Sequence, residues 1–171
     1  RNYYEGKVPD NILIYEEIYD IWMRDFTTVN PENPVQFVYT DASMAKKESK
    51  VTQAKFDAFA DKYDVARTKT EYILDGGNVV DNYNGKIIVT TRFLEDNDLE
   101  YDEGKNVLKE LLDATHVAIV EPDDEVLAHS DGMVAWIDDD VLLVNNYLTL
   151  DPKLHKSVLG ELTDSFPDTT I

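Results

Sequence analysis

An α+β fold of repeated units, each made of strands and one helix, is predicted for this chain by three observations. Stretches that suit strands, such as Pro34 to Thr40, are followed by stretches whose apolar residues fall on one helical stripe. Hairpin patterns return at nearly constant spacing, with Ile87-Ile88-Val89 lying over Leu142-Leu143-Val144 at an offset of 55 residues and Phe37-Val38 over Ile88-Val89 at an offset of 51. Acidic residues recur at the turn that opens each hairpin: the first offset puts Gly76 on Asp131, and the second puts Asp25 on Gly76, beside Asp75. Units set around an axis like the blades of a propeller would bring those turns to one central site.

The elements follow in order. Pro34 to Thr40 (PVQFVYT) suits a strand, and Lys50 to Tyr63 suits a helix that would carry Val51, Ala54, Ala58, Phe59 and Tyr63 on one stripe. Thr70 to Leu74 reads as extended. Asn78 to Thr91 reads as a hairpin reversing at Asn84-Gly85, a strong signal for a two-residue turn. Asp102 to Ala114 forms a helix with Val107, Leu108, Leu111 and Leu112 on one face. His116 to Val120 is a short strand, and Met133 to Asn145 a second hairpin whose reversal falls on the Asp138-Asp139-Asp140 run. Asp151 fits the N-cap and Pro152 the first turn of a third helix, buried along Leu154, Val158, Leu159, Leu162 and Phe166. Thr169 to Ile171 begins another strand.

Composition narrows the chemistry. At 171 residues and 43% hydrophobic, the chain can bury a core and is expected to form one domain or part of one. Sixteen Lys and Arg against 35 Asp and Glu give a formal charge of −19, which repels nucleic acid and anionic lipid and attracts small cations, although the same charge also serves solubility. With no Cys, disulfides, thiolate metal sites and cysteine nucleophiles are excluded within these residues. Apolar runs such as Val141 to Val144 fall far short of the roughly 20 residues that a membrane-spanning helix needs. Arg1 to Asp10 lack the order of a signal peptide, so a cytoplasmic location is expected. The chain opens without Met and is read as trimmed or as the middle of a longer protein.

Three short motifs carry candidate chemistry. Trp22-Met23-Arg24-Asp25 follows the stretch ILIYEEIYD; alone, an Arg-Asp pair beside an aromatic is more often a surface ion pair. Asp75-Gly76-Gly77-Asn78 lies between a strand and a hairpin, where paired glycines serve either a tight turn or a close approach of another group. His129-Ser130-Asp131-Gly132 would place an imidazole and a carboxylate on one face of an extended segment, a pair suited to acid–base work on a positively charged substrate. His116 and His155 read as structural. The acidic stretches Glu121 to Glu125 and Asp138 to Asp140 lack the order of a calcium loop and read as solvated turns, so no metal and no cofactor are expected.

Taken together, in this order and spacing, the motifs resemble those of the agmatine deiminases, and are similar to those of the bacterial peptidylarginine deiminases, guanidino-group-modifying enzymes of the pentein superfamily. The resemblance runs from about Ile14 to Asn146 and more loosely beyond. It implies a pentein-type α/β propeller of repeated ββαβ units, of which residues 1–171 would hold about three of five as part of a single catalytic domain. It also implies that Asp25 and Asp131 hold a guanidinium, that His129 is the general acid–base with Asp75 assisting, and that Trp22 and Asn78 contact substrate. The family's residue at the position of Asp75 is usually Glu, so the exact substrate is left open.

The nucleophile implied by the resemblance is a cysteine near the C-terminus of the family, in a segment this chain does not contain. The chain alone is therefore expected to be inactive, with the remainder of the same protein or a complementary chain supplying that cysteine. The substrate would be a cationic guanidino small molecule, such as agmatine in polyamine biosynthesis, or an arginyl peptide. A non-catalytic guanidinium-binding pseudoenzyme and an amidinotransferase of the same fold are the alternatives.

Overall fold

The computed structural model describes residues 6–9, 11, 15–40 and 46–171. The readings placed on Arg1 to Asp10 and on the start of the ILIYEEIYD stretch therefore lie partly outside the described residues.

The repeat is visible as three small sheets. In the first unit, helix α1 (Met23–Phe26) leads through Val29, bridged antiparallel to Val35, into strand β1 (Val35–Val38). Helix α2 (Lys46–Lys62) then returns the chain to β2 (Thr68–Ile73), parallel to β1. The second unit opens on a 3₁₀ turn at Gly76–Asn78 and pairs β3 (Val80–Asp81) antiparallel with β4 (Lys86–Thr90). It crosses through α3 (Arg92–Asn97) and α4 (Tyr101–Leu112) to β5 (His116–Val120), parallel to β4. The third opens on a 3₁₀ turn at Ser130–Gly132, pairs β6 (Val134–Asp138) with β7 (Val141–Val144), and passes through α5 (Pro152–Ser165) to Thr170, bridged parallel to Val141. Each unit is thus an antiparallel pair followed by a helical crossover to a parallel partner, the connection that parallel pairing requires. Among the described residues the sheets stay separate and none closes on itself.

The second and third helical faces are those expected. Leu108 and Leu112 are buried with Val107 and Leu111 packed against the same cluster, and Val158, Leu162 and Phe166 are buried beneath α5. The Asp151 carboxylate accepts from the backbone N–H groups of Lys153 and Leu154, so the cap read from Asp151-Pro152 forms as drawn.

Two expectations are corrected. Helix α2 buries Ser49, Thr52, Phe56 and Ala60, whereas Val51, Ala54, Ala58 and Tyr63 of the expected stripe are exposed and Phe59 is half-buried. The face is chosen by hydrogen bonding as much as by apolar area. Gln53 donates to the Phe37 carbonyl and accepts from Tyr39 N–H, and Asp57 accepts from Gln36, which satisfies polar groups of β1 and its flank while Phe56 packs edge-on against Phe26. The first full hairpin reverses through three residues, Tyr83 to Gly85, with positive φ at Tyr83 (58°) and Gly85 (80°), rather than through Asn84-Gly85 alone. Asn82 makes the difference: its side-chain oxygen accepts from both Asn84 and Lys86 N–H, replacing the backbone bond of a tighter turn.

Helix α3 had no counterpart in the sequence reading. Its Asn97 donates to Ile73 O and accepts from Ile73 N–H, tying the second unit to the edge of β2.

Candidate functional site

The turns that open the three units pack against one another, and glycines make this possible. A Cβ at Gly76 would lie 1.9 Å from the Arg24 carbonyl oxygen, so the second turn meets the backbone of α1 with no room for a side chain. A Cβ at Gly77 would lie 2.5 Å from His129 Nδ1 and 2.6 Å from Asp25 Oδ1. The paired glycines of the second motif thus serve close approach: the imidazole of the third turn and the carboxylate of the first both rest on Gly77, whose N–H donates to Asp25 Oδ1 at 3.1 Å.

Asp75 joins this group from the N-terminal side of the same turn. Its Oδ1 accepts from Thr40 N–H at 3.1 Å, while Oδ2 faces His129 Nε2 at 3.5 Å. That separation is an ion-pair contact, longer than a well-formed N–H···O bond, and Nε2 is buried without an aligned hydrogen-bond partner. Asp131 is more open and lies 3.5 Å from Arg24 Nε through its Oδ2. The structure therefore gathers Asp25, Asp75, His129 and Asp131 at one place, each from a different turn except the His129–Asp131 pair.

Burial and the neighbouring charges of Asp75 and Asp131 push the Asp25 carboxyl above its ordinary value, against the pull of His129 and the Gly77 N–H. Burial opposes protonation of His129, but contact with Asp75 and the charges of Asp25, Asp75 and Asp131 outweigh it and hold the imidazole above its ordinary value. Three carboxylates around one imidazole favour positive charge in the space they share.

A stability prediction follows for His129, which faces Asp25, Asp75, Asp131 and, at longer range, Asp124. With its pKa raised in the folded chain, it contributes stability fully below the unfolded value near 6.5 and loses that contribution as pH rises through the folded value. As pH rises above the unfolded imidazole value near 6.5, the melting temperature of the wild-type chain should fall more steeply than that of His129→Gln. Parallel pH profiles of the two would contradict this.

Asn78 is buried at 2% exposure, and its side-chain oxygen accepts from Thr90 N–H (2.9 Å) and Ser130 N–H (3.2 Å). It thereby ties the second turn to the third. Trp22 stands on the first turn with 66% of its surface exposed. A small pocket beside Asp75, Asn78 and His129 is lined also by Arg92, Asp96 and Leu127; Trp22, Asp25 and Asp131 do not line it.

Several residues that hold His129 in place were not legible beforehand. Thr90 Oγ1 donates to Ala128 O at 2.6 Å, and Ser130 Oγ donates to Ile88 O. Asp124 accepts from the N–H groups of Val126, Leu127 and Ala128, so one carboxylate of the acidic stretch read as a solvated turn organises the approach to His129. Ala128 itself holds φ at 55°, a left-handed conformation uncommon for a residue with a Cβ. Among the described residues no group of three or more His, Asp and Glu side chains is arranged to hold a metal ion. No described helix is long and apolar enough to cross a membrane.

Comparison with known proteins gives the family and the fold. Residues 7–165 match a family described as Porphyromonas-type peptidyl-arginine deiminase. Among solved structures, the chain is similar to a C315S agmatine deiminase from C. jejuni with substrate bound, at 18% identity and a TM-score of 0.69 over 95% of this chain and 55% of that one. It is also similar to the agmatine deiminase of Enterococcus faecalis, at 16% identity and a TM-score of 0.67 over 94% of this chain and 50% of that one. At such identities the likeness shows a shared fold. No curated protein matches the sequence. The chain spans about half the length of the solved structures it matches.

Proposed function

This chain belongs to the Porphyromonas-type peptidyl-arginine deiminase family, and on that footing we propose that it supplies the substrate grip and the proton shuttle of a guanidino-group deiminase. The observation that carries the reading is the meeting of Asp25, Asp75 and His129 at Gly77, with Asp131 near enough for its charge to act on both Asp25 and His129, three turns brought together from three repeated units. Completed by further units of the same kind, the three would close as a propeller around that point.

A guanidinium is planar and positively charged, with donors directed outward, and carboxylates on two sides match both its charge and its shape. Asp25 and Asp131 take those sides. Asp25 is pinned by the Gly77 N–H, so its free oxygen is held in one direction before substrate arrives, which lowers the cost of ordering the complex. His129, kept readily protonated by the surrounding carboxylates, gives a proton to the nitrogen that leaves as ammonia. It then takes one from the water that attacks next. Asp75 holds the imidazole orientation through its contact with Nε2.

The nucleophile is a cysteine thiolate outside these 171 residues, which forms a bond to the guanidinium carbon as the C–N bond breaks and is released when water replaces it. The sum is a guanidino group and water giving a ureido group and ammonium. The chain without that cysteine binds and does not turn over.

The substrate is a cationic guanidino compound, either agmatine-like or an arginyl peptide, bound without a cofactor. The test is ammonia release by the complete protein, including any downstream cysteine, from agmatine, free arginine and arginyl peptides. Turnover of at least one confirms a deiminase. Product formation only when an amine acceptor is added would indicate amidino transfer, and binding without turnover by a naturally cysteine-free complete protein would indicate a pseudoenzyme.

A further inference from the structure

Arg24 precedes Asp25 in the first motif, yet its side chain runs in another direction. Its Nη2 donates to the Val79 carbonyl at 2.5 Å, just past the second turn, and its Nε lies 3.5 Å from Asp131 Oδ2 in the third. Its own carbonyl is the group against which Gly76 packs. One residue therefore touches all three turns: it belongs to the first, grips the backbone after the second, and reaches the carboxylate of the third.

We infer that Arg24 is a positioning residue, a guanidinium built into the chain that anchors one oxygen of Asp131 so that the other is presented to the substrate guanidinium. The inference rests on the reading of Asp131 as a substrate-gripping carboxylate. Asp131 has 41% of its side chain exposed and follows the Ser130 hydroxyl, whose bond to Ile88 O holds the turn backbone but not the Asp131 carboxylate. Left alone, an exposed aspartate samples several rotamers, and ordering it would reduce the affinity gained on binding. Arg24 removes that freedom in advance. It can do so because its planar group is fixed by the hydrogen bond from Nη2 to Val79 O, which holds Nε in ion-pair contact with Asp131 Oδ2 and draws that oxygen to one side.

The sign of the effect separates this role from its rivals. Arg24 is a cation beside a cation site, so by charge alone its removal should tighten binding of another cation. If Arg24 competes with substrate for Asp131, its removal should tighten binding further. Anchoring predicts the reverse.

The experiment is calorimetric titration of the chain with agmatine, using the wild type, Arg24→Met and Arg24→Lys, with thermal denaturation of each. Arg24→Met should weaken binding about tenfold. Arg24→Lys, which keeps the charge but cannot grip both acceptors in one plane, should recover only part of that loss at a melting temperature close to wild type. Arg24→Met binding that is unchanged or tighter overturns the inference. Should Arg24→Met fail to fold, Arg24→Lys decides alone: weaker binding in a stably folded chain supports anchoring, and wild-type affinity overturns it. A wild-type chain that binds neither agmatine nor an arginyl peptide overturns the proposed function and this inference together; where only the peptide binds, the same variants are titrated with it, and a binding wild type with indifferent Arg24 variants overturns the inference only.

Discussion

Asp25→Asn is expected to cut affinity for a guanidino ligand by roughly a hundredfold or more, and to do so without lowering the melting temperature. Removing one partner of a desolvated carboxylate–guanidinium pair costs about 3 kcal/mol or more, which corresponds to that factor. The fold should be spared because asparagine keeps an oxygen at the Oδ1 position to accept the Gly77 N–H at 3.1 Å. It should even gain slightly. Burial, with the like charges of Asp75 and Asp131, disfavours the ionised Asp25 carboxyl in the free chain by more than the attraction of His129 favours it, so neutralising it removes a net cost. Asp131→Asn should weaken binding similarly. A chain that loses binding while keeping or raising its stability marks these carboxylates as held for a ligand rather than for the fold. Calorimetry and thermal denaturation on the same samples check both halves, and a variant that loses stability in step with affinity would contradict the account.

Gly76→Ala is the substitution expected to damage the fold most per atom added. The new methyl carbon would sit 1.9 Å from the Arg24 carbonyl oxygen, a backbone atom that no rotamer change can move aside. Relief requires the first and second turns to separate, which strains α1 and the contacts of Asp25 and Arg24 together. Overpacking of this kind costs about 3 kcal/mol, or a fall of roughly 6–12 °C in melting temperature for a chain of this size. Gly77→Ala should be milder for stability, because the atoms it meets are the ends of the His129 and Asp25 side chains, and severe for binding, because those are the atoms of the site. Melting curves of the two variants, with agmatine titrations of Gly77→Ala, separate a structural glycine from a functional one. Equal stability losses would contradict the distinction.

The repeat was readable because the apolar runs Ile87-Ile88-Val89 and Leu142-Leu143-Val144 return at a nearly constant offset and because Asp151-Pro152 marks a helix start from local chemistry alone. The face of α2 was not readable. Its buried stripe includes Ser49 and Thr52, and its orientation depends on Gln53 and Asp57 meeting polar groups of β1 and its flank, partners that a hydrophobic period does not register. Helix α3 was hidden for a related reason, since Asn97 earns its place by bonding to Ile73 of a different unit.

The same division runs through the site. Asp25, Asp75, His129 and Asp131 could be picked out because each sits in a short motif at the repeat spacing. Thr90, Asp124 and the ends of the Arg24 side chain could not, because their partners are distant in the sequence or are backbone atoms. Asn78 stood in a motif, but that its oxygen is occupied by Thr90 and Ser130 N–H groups is known only from the fold. Substrate contact by Asn78 would fall to its amide nitrogen. The departure of Asp75 from the Glu usual in agmatine deiminases also gains a physical form: at 3.5 Å from His129 Nε2, the shorter acid approaches the imidazole without closing a good hydrogen bond.

If three carboxylates and one imidazole form a site for a guanidinium, the charge of the ligand governs its affinity. The chain should be titrated with agmatine and with its ureido counterpart, which keeps the shape and length of the ligand and replaces the planar cation by a neutral group. Agmatine should bind at least about a hundredfold more tightly, because the neutral group leaves both Asp25 and Asp131 without a counter-charge. Equal affinity for the two, or binding of neither agmatine nor an arginyl peptide, would contradict the assignment of this site.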